Sequence, residues 1–230
     1  MTLQRGFTLI EMAIVLIIIT ILIGGLAAPL SAQIQARRIA ETNRTLDEAR
    51  DALIGYALRN TNPSTSRPHL PCPAGNNGIE LDRDGLGNCP TQEGWFPWVT
   101  LGAASQDAWG NRLRYRVANG FSSSDGYGNT DVGNIQICDA LGCATIVANN
   151  IAAVVVSYGP NGWGALNVNG NTLAAPASLN EQENTNSNTV FASRIPNTAG
   201  SPSGEFDDRV LWLSADVLRT RTCPTGTGCP

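Results

Sequence analysis

A run of apolar residues near the N-terminus constrains this chain more than any other feature. Between Arg5 and Arg37 the sequence carries one charge, Glu11, and is otherwise rich in aliphatic residues, alanines and glycines. As a helix, the stretch 7–30 would be about 36 Å long, which exceeds the roughly 30 Å thickness of a membrane's hydrocarbon core. We therefore predict a transmembrane helix at 7–30. A carboxylate near the start of such a helix is costly, so Glu11 is a candidate functional residue.

The residues at the start of this run form a short motif. Segment 5–11 reads RGFTLIE and resembles the class III signal of type IV pilins and of the pseudopilins of type II secretion. In that family a prepilin peptidase cleaves after the glycine and methylates the new N-terminal phenylalanine. The resemblance implies a leader at 1–6, cleavage between Gly6 and Phe7, methylation of Phe7 and a role for Glu11 in assembly. An ordinary signal anchor with an isolated glutamate is the alternative.

The same resemblance implies a location and a set of partners. Arg5 precedes the apolar run and agrees with the positive-inside rule. We expect a single-pass precursor in the bacterial inner membrane, with its globular part in the periplasm, and a mature subunit that enters a filament at the cell surface or in the periplasm. Its partners would be the prepilin peptidase, inner-membrane lipid, an inner-membrane assembly platform and other copies or related pilin subunits.

The helix is expected to continue beyond the apolar run with a different character. Polar residues enter in the stretch 31–60, and apolar residues recur there with helical spacing, namely Ile39, Leu46, Ala49, Leu53, Tyr56, Ala57 and Leu58. This pattern predicts an amphipathic helix with one face against a core. The prolines at 63, 68 and 71 follow it and end the helix.

The remaining residues, 61–230, are enough for one globular domain. Short β-type segments alternate there with turns, at 95–101, 113–117, 135–138, 144–147, 151–158 and 210–218. Between 159 and 205 the composition shifts to Gly, Asn, Ser, Thr and Pro, which predicts a long, partly mobile polar loop. We predict an α+β, pilin-like fold whose long N-terminal helix packs on an antiparallel sheet with disulfide-closed loops.

Six cysteines, an even number, all follow the apolar run. The chain has no CxxC motif and a single histidine, His69, so zinc-binding and thioredoxin-like functions lack their ligands. In an exported domain an even set of cysteines indicates disulfides, although many connectivities are open. The simplest assignment joins the cysteines that are neighbours in sequence, which gives Cys72–Cys89, Cys138–Cys143 and Cys223–Cys229.

The resemblance to pseudopilins continues in the globular part. Residues 107–115 are similar to their D-x-W-G-N-x-x-x-Y hairpin, and residues 157–162 are similar to their S-x-G-x-D-G turn, with asparagine in place of the aspartate. In those proteins the C-terminal loop binds calcium, a cation that prefers oxygen ligands. The resemblance therefore suggests calcium as a cofactor, with four candidate ligands: Asn161, Glu205, Asp207 and Asp208.

A second stretch is also compatible with calcium. Residues 82–88 read DRDGLGN, and an EF-hand alignment would use Asp82, Asp84 and Glu93 as ligands. Leu86 stands where that loop needs an oxygen ligand. Both candidate sites remain open against the alternative of ordinary polar loops.

Composition limits the remaining function classes. The 15 basic residues are all arginine and are outnumbered by 19 acidic ones, without any basic tract, so nucleic-acid binding is not expected. His69 has no nucleophilic partner in a known motif, and we expect no enzyme activity. The resemblance implies a structural subunit of a type IV pilus or a type II secretion filament. The alternative is a minor, tip-located pilin that acts as an adhesin or primes assembly.

Overall fold

Helix α1 begins at Leu9 and ends at Arg59. Thr8 caps its first turn, because the Thr8 hydroxyl accepts a hydrogen bond from the backbone nitrogen of Glu11 at 3.3 Å. In return, the Thr8 backbone nitrogen donates to Glu11 Oε2 at 2.8 Å. This reciprocal capping box satisfies two amide groups that a helix start leaves without intrahelical partners.

The computed structural model describes residues 8–223 and residue 229, apart from the side chains of 25–29. It divides into two units, 1–40 and 41–230. Within the residues described, no helix is long and apolar enough to cross a membrane. The predicted span 7–30 falls partly outside them, as do the predicted processing residues Gly6 and Phe7.

In the second unit, α1 contributes one face to the core. Leu46, Ala49, Leu53 and Ala57 are all buried, which confirms the amphipathic pattern at these positions. Leu58, predicted on the same face, is 55 % exposed. Leu58 directly follows Ala57 in the sequence. Because successive residues of a helix point about 100° apart around its axis, Leu58 points away from the buried direction of Ala57.

Six strands form one sheet in the order β1-β2-β4-β3-β5, and β6 pairs with β4. The strands are β1 (Glu93–Trp95), β2 (Arg114–Val117), β3 (Ile135–Cys138), β4 (Ile146–Ser157), β5 (Val190–Ala192) and β6 (Arg209–Ser214). Four short helices lie between or after them: α2 (Trp98–Leu101), α3 (Asn119–Ser122), α4 (Leu179–Glu183) and α5 (Ala215–Thr222).

The sheet is mixed, so the prediction of a purely antiparallel sheet is wrong. Strand β5 lies parallel to β3, with Gln136 opposite Val190 and Cys138 opposite Ala192. A parallel pair needs a crossover rather than a hairpin, and here the whole of β4 and the segment after it separate the two strands. The segment 159–205 is therefore not a plain loop, because it contains both α4 and β5.

Four predicted β-type segments have different boundaries in the structure. Segment 95–101 splits into the end of β1 and helix α2, and segment 210–218 splits into β6 and α5. Ser214 ends β6 and caps α5, since its hydroxyl accepts from the backbone nitrogen of Val217. Segments 144–147 and 151–158 belong to one long strand, β4.

The core lies between the buried face of α1 and the sheet. Its largest fully buried side chains are aromatic: Phe96, Tyr115, Phe121, Tyr127, Tyr158, Phe191 and Phe206. Phe96 and Tyr115 meet edge to face with ring centroids 6.0 Å apart, a favoured geometry for aromatic pairs.

Three disulfides close loops around this core. They join Cys72 to Cys89, Cys138 to Cys143 and Cys223 to Cys229, which are the predicted sequence-neighbour pairs. The second disulfide joins the end of β3 to the turn that leads into β4. No described cysteine is free.

Candidate metal centre

Three carboxylates converge where strand β6 begins. Asp207 and Asp208 immediately precede the strand, and Glu181 comes from helix α4. One oxygen of each lies within 4.8 Å of the others. Glu181 is 1 % exposed and Asp208 is 4 % exposed, whereas Asp207 is partly accessible. The cluster therefore places three acidic groups together in a largely dehydrated position.

Hydrogen bonds fix one oxygen of each carboxylate. Glu181 Oε1 accepts from the Asn161 side-chain amide at 3.0 Å and from the Asp207 backbone nitrogen at 3.1 Å. Asp207 Oδ2 accepts from the Asn161 backbone nitrogen at 3.2 Å. Asp208 Oδ2 accepts from the side-chain amide of Asn184, the residue that ends α4, at 2.8 Å. The cluster thus ties the turn at Asn161 and helix α4 to the start of β6.

Two buried oxygens of the cluster have no hydrogen-bond donor. These are Glu181 Oε2 and Asp207 Oδ1. A buried acceptor without a partner costs about 1–3 kcal/mol, and more if it is charged. A cation bound between the carboxylates would satisfy both oxygens. The donor set contains only oxygen, which suits the hard cations calcium and magnesium.

Burial perturbs the titration of all three acids. It raises the pKa of Asp207 to about 7, and the charges of Glu181 and Glu205 act in the same direction. Burial also raises the pKa of Glu181, and it raises the pKa of Asp208 well above its ordinary value. The cation-free cluster therefore retains protons near neutral pH. A divalent cation would favour the ionised carboxylates and displace those protons.

A glycine allows the chain to approach this cluster closely. Gly159 has φ of +61°, and a Cβ atom built there would collide with Asp207 Oδ1. Any other residue would combine a strained backbone with that clash. Ser157, at the start of the same turn, donates to the buried Asp107 at 2.7 Å. This bond joins the two globular segments that resemble pseudopilin motifs.

The structure brings together part of the predicted ligand set. Asp207 and Asp208 lie in the cluster, as expected. Asn161 contacts it as a hydrogen-bond donor, because its carbonyl oxygen already accepts from the Trp163 backbone nitrogen at 2.9 Å. Glu205 influences the cluster through its charge but does not belong to the group of converging oxygens.

Sequence reasoning missed Glu181, the most deeply buried ligand candidate. It lies inside the segment 159–205, whose Gly- and Asn-rich composition predicts a loop. A local signal was present, because Ser178 and Glu181 have the spacing of a capping box at a helix start. Ser178 is indeed the residue before α4, although its side chain forms no capping hydrogen bond.

The structure does not bring together the residues of the second predicted calcium site. Among the residues described, Asp82, Asp84 and Glu93 make no converging group. Glu93 instead pairs with Arg114 and Arg116 of the neighbouring strand, at 2.7 Å each. Asp84 Oδ1 accepts backbone hydrogen bonds within its own turn, at 2.9 and 2.8 Å. Strand pairing and turn formation thus engage Glu93 and Asp84, and calcium binding by an EF-hand-like loop stays a prediction.

Comparison with known proteins gives one match, at the N-terminus. Residues 1–27 match the family model described as the prokaryotic N-terminal methylation motif. This chain carries a type IV pilin or pseudopilin signal. The match includes Gly6, Phe7 and Glu11, and it confirms the resemblance of this segment. No curated protein and no solved structure matches the chain.

Proposed function

We propose that this protein is a filament subunit of a type IV pilus or of a type II secretion pseudopilus. The observation that carries the proposal is the methylation motif at 1–27. From Leu9 onward, the residues of this motif form the first part of the long helix α1. The motif implies cleavage by a prepilin peptidase and assembly with other pilin subunits. In such a subunit the stretch 7–30 anchors the precursor in the inner membrane and later packs among the helices of neighbouring subunits.

Glu11 is positioned to serve assembly. Both the backbone nitrogen and the hydroxyl of Thr8 donate to Glu11 Oε2, at 2.8 Å each. No described residue donates to Oε1, which leaves that oxygen for the α-amine of Phe7, on the same chain or on the next subunit. An unpaired charge among packed helices would be costly, so this pairing would select the register of an incoming subunit.

In the globular unit, we propose that Glu181, Asp207 and Asp208 bind calcium. The two donor-free buried oxygens support an ion at this place, and the absence of nitrogen or sulfur ligands from the described cluster argues against zinc. Calcium tolerates irregular coordination, whereas magnesium demands near-octahedral geometry. When bound, the ion supplies positive charge that offsets the clustered carboxylates. It would thereby hold α4 against the start of β6.

A second role, that of a minor tip-located pilin acting as an adhesin or an assembly primer, is supported by one observation. The segment 159–205 presents several exposed apolar side chains, namely Trp163, Val168, Leu179 and Ile195. Such side chains favour contact with another surface.

Immunogold labelling of purified filaments tests the proposal and separates the two roles. A main structural subunit should be labelled along the filament length, and a tip subunit should be labelled only at one end. Absence of the protein from filaments of cells that express it would contradict both roles.

A further inference from the structure

A pocket of about 350 Å³ lies between α1 and the start of β6. Leu46 of α1 lines one wall of the pocket. Arg194, which lies two residues after β5, and Arg209, the first residue of β6, also line it. The two arginines therefore share one concave surface within the globular unit.

Arg209 lacks a counter-ion. Its guanidinium forms no hydrogen bond or ion pair with any described residue, and its Nε is buried without an acceptor. Its charge acts on Asp207, whose pKa it lowers, but no ion pair joins the two side chains. Buried donors in folded proteins nearly always have a partner, so the orphaned Nε of this partly exposed side chain points to a missing acceptor in the pocket.

Arg194 is also free of carboxylate contacts among the described residues. Its one side-chain hydrogen bond goes to the neutral hydroxyl of Ser203, at 3.1 Å. By contrast, Arg114 and Arg116 both form ion pairs with Glu93. Neither pocket arginine therefore has a carboxylate partner among the described residues.

Two acidic residues line the same pocket, but each is already engaged. Asp47 pairs with Arg50 of the same helix at 3.2 Å. Asp208 accepts a hydrogen bond from the side-chain amide of Asn184 at 2.8 Å. Among the described residues, neither acid forms an ion pair with Arg194 or Arg209.

We propose that this pocket binds a carboxylate. The planar guanidinium presents paired N–H donors that match the two oxygens of a carboxylate. Ser193 and Asn43 line the pocket with neutral polar groups that can add hydrogen bonds. Leu46, Val210 and Leu211 line it with apolar surface, which favours an anion attached to a carbon skeleton over an inorganic one. The two engaged acids would also disfavour a doubly charged phosphate.

Nuclear magnetic resonance of full-length protein in detergent micelles tests the proposal. Acetate is titrated against protein labelled with ¹⁵N-arginine, and sodium chloride at equal ionic strength provides the control. The Arg209 Nε–H resonance is recognised by its loss in Arg209→Gln. We expect acetate, but not chloride, to shift this resonance saturably.

Variants assign the response to the pocket. Arg194→Gln should weaken acetate binding about tenfold as read at Arg209, because it removes one charge-assisted contact. Arg209→Gln should weaken it similarly as read at Arg194. The control Arg221→Gln removes an exposed arginine of α5 and should leave acetate binding unchanged.

The same titration distinguishes two sources of the carboxylate. If an acidic side chain of a second copy occupies the pocket, the Arg209 resonance should shift as protein concentration rises, and acetate should reverse that shift. If a free organic acid is the ligand, protein concentration should have no effect while acetate still shifts the resonance. Either result supports the proposal. A response to acetate no larger than to chloride, an unchanged response in both pocket variants, or tighter binding of inorganic phosphate than of acetate would overturn it.

Discussion

Glu181 accepts a hydrogen bond from the backbone nitrogen of Asp207 at 3.1 Å, although the two residues are 26 positions apart. This contact joins helix α4 to the residues that lead into β6. It also leaves the second oxygen of Glu181 buried and without a donor. The candidate metal centre therefore depends on a long-range contact between α4 and the start of β6, and α4 lies in the segment whose composition predicts a loop.

Calcium should stabilise the protein through Glu181. With calcium at a hundredfold excess over its dissociation constant, the free energy of unfolding should rise by about 2.7 kcal/mol. Glu181→Gln replaces a buried ligand oxygen with an amide, so most of this gain should disappear. Calorimetry of the full-length protein in micelles, with calcium or with chelator, measures the difference. In the control Asp82→Asn, calcium should stabilise the protein as much as in the wild type. Loss of the calcium stabilisation in Asp82→Asn together with its retention in Glu181→Gln would contradict the assignment.

The contribution of Asp207 to the stability of the calcium-free protein should fall as pH rises from about 4 to about 7. Burial raises the pKa of Asp207 from 3.8 to about 7, so in this window the folded state holds a proton that the unfolded state has released. Stability falls with pH wherever the folded state binds more protons. Asp207→Asn should remove this component in chemical unfolding measured with chelator present. A wild type whose slope matches that of the variant would refute the expectation.

Calcium affinity should increase as the Asp207 carboxyl loses its proton, whereas the contribution of Asp207 to the stability of the calcium-free protein should decrease. The ion must displace protons from the cluster, so its affinity should increase as pH rises towards 7. Isothermal titration calorimetry in two buffers with different ionisation enthalpies would detect the released protons.

His69 should contribute a separate pH dependence. Arg83 contacts His69 Nδ1 at 3.1 Å, and burial together with the Arg83 charge lowers the pKa of the imidazole. Because the folded state resists protonation, its stability should decrease as pH falls below about 6.5, the ordinary histidine pKa. The difference in unfolding free energy between wild type and His69→Gln should shrink as the solution becomes acidic. A constant difference between pH 5 and 8 would show that His69 does not titrate with folding.

The disulfides should contribute unequally to stability. Cys72–Cys89 spans 17 positions and Cys138–Cys143 spans 5. In the chain-entropy model the larger loop gains about 1 kcal/mol more from closure. Paired alanine substitutions at each disulfide, compared by urea unfolding, measure this difference. Cys72 and Cys138 are both fully buried, so cavity effects are matched at these two positions. Equal losses would contradict the loop-length explanation.

Local patterns predicted the features that depend on neighbouring residues. The buried positions Leu46, Ala49, Leu53 and Ala57 follow from helical spacing, because one face of a helix must meet the core. The disulfide partners lie close in sequence, so proximity along the chain was sufficient to pair them.

Features that depend on distant pairing were not predictable in this way. Strand β5 has three residues and joins β3 across a long crossover. Glu93 resembles a calcium ligand in sequence, yet it faces Arg114 and Arg116 across a strand pair that no local pattern specifies. Asparagine favours turns by its backbone preferences, so its abundance around Glu181 concealed a short helix.

Processing should depend on Gly6. A prepilin peptidase must approach the backbone at the cleavage site, where a side chain would obstruct it. Gly6→Val should therefore accumulate uncleaved precursor in the membrane fraction, seen as a larger band by immunoblot. Glu11→Gln is the matched control, because it should be cleaved normally and fail only in assembly.

The most direct test of a pilin-like subunit is the mass of its mature N-terminal peptide, measured on protein from isolated filaments. We expect a peptide that begins at N-methylated Phe7, because residues 1–27 carry the methylation motif. A peptide that retains Met1, or one that begins near Ala28 or Ala32, would contradict the assignment of this chain as a processed pilin subunit.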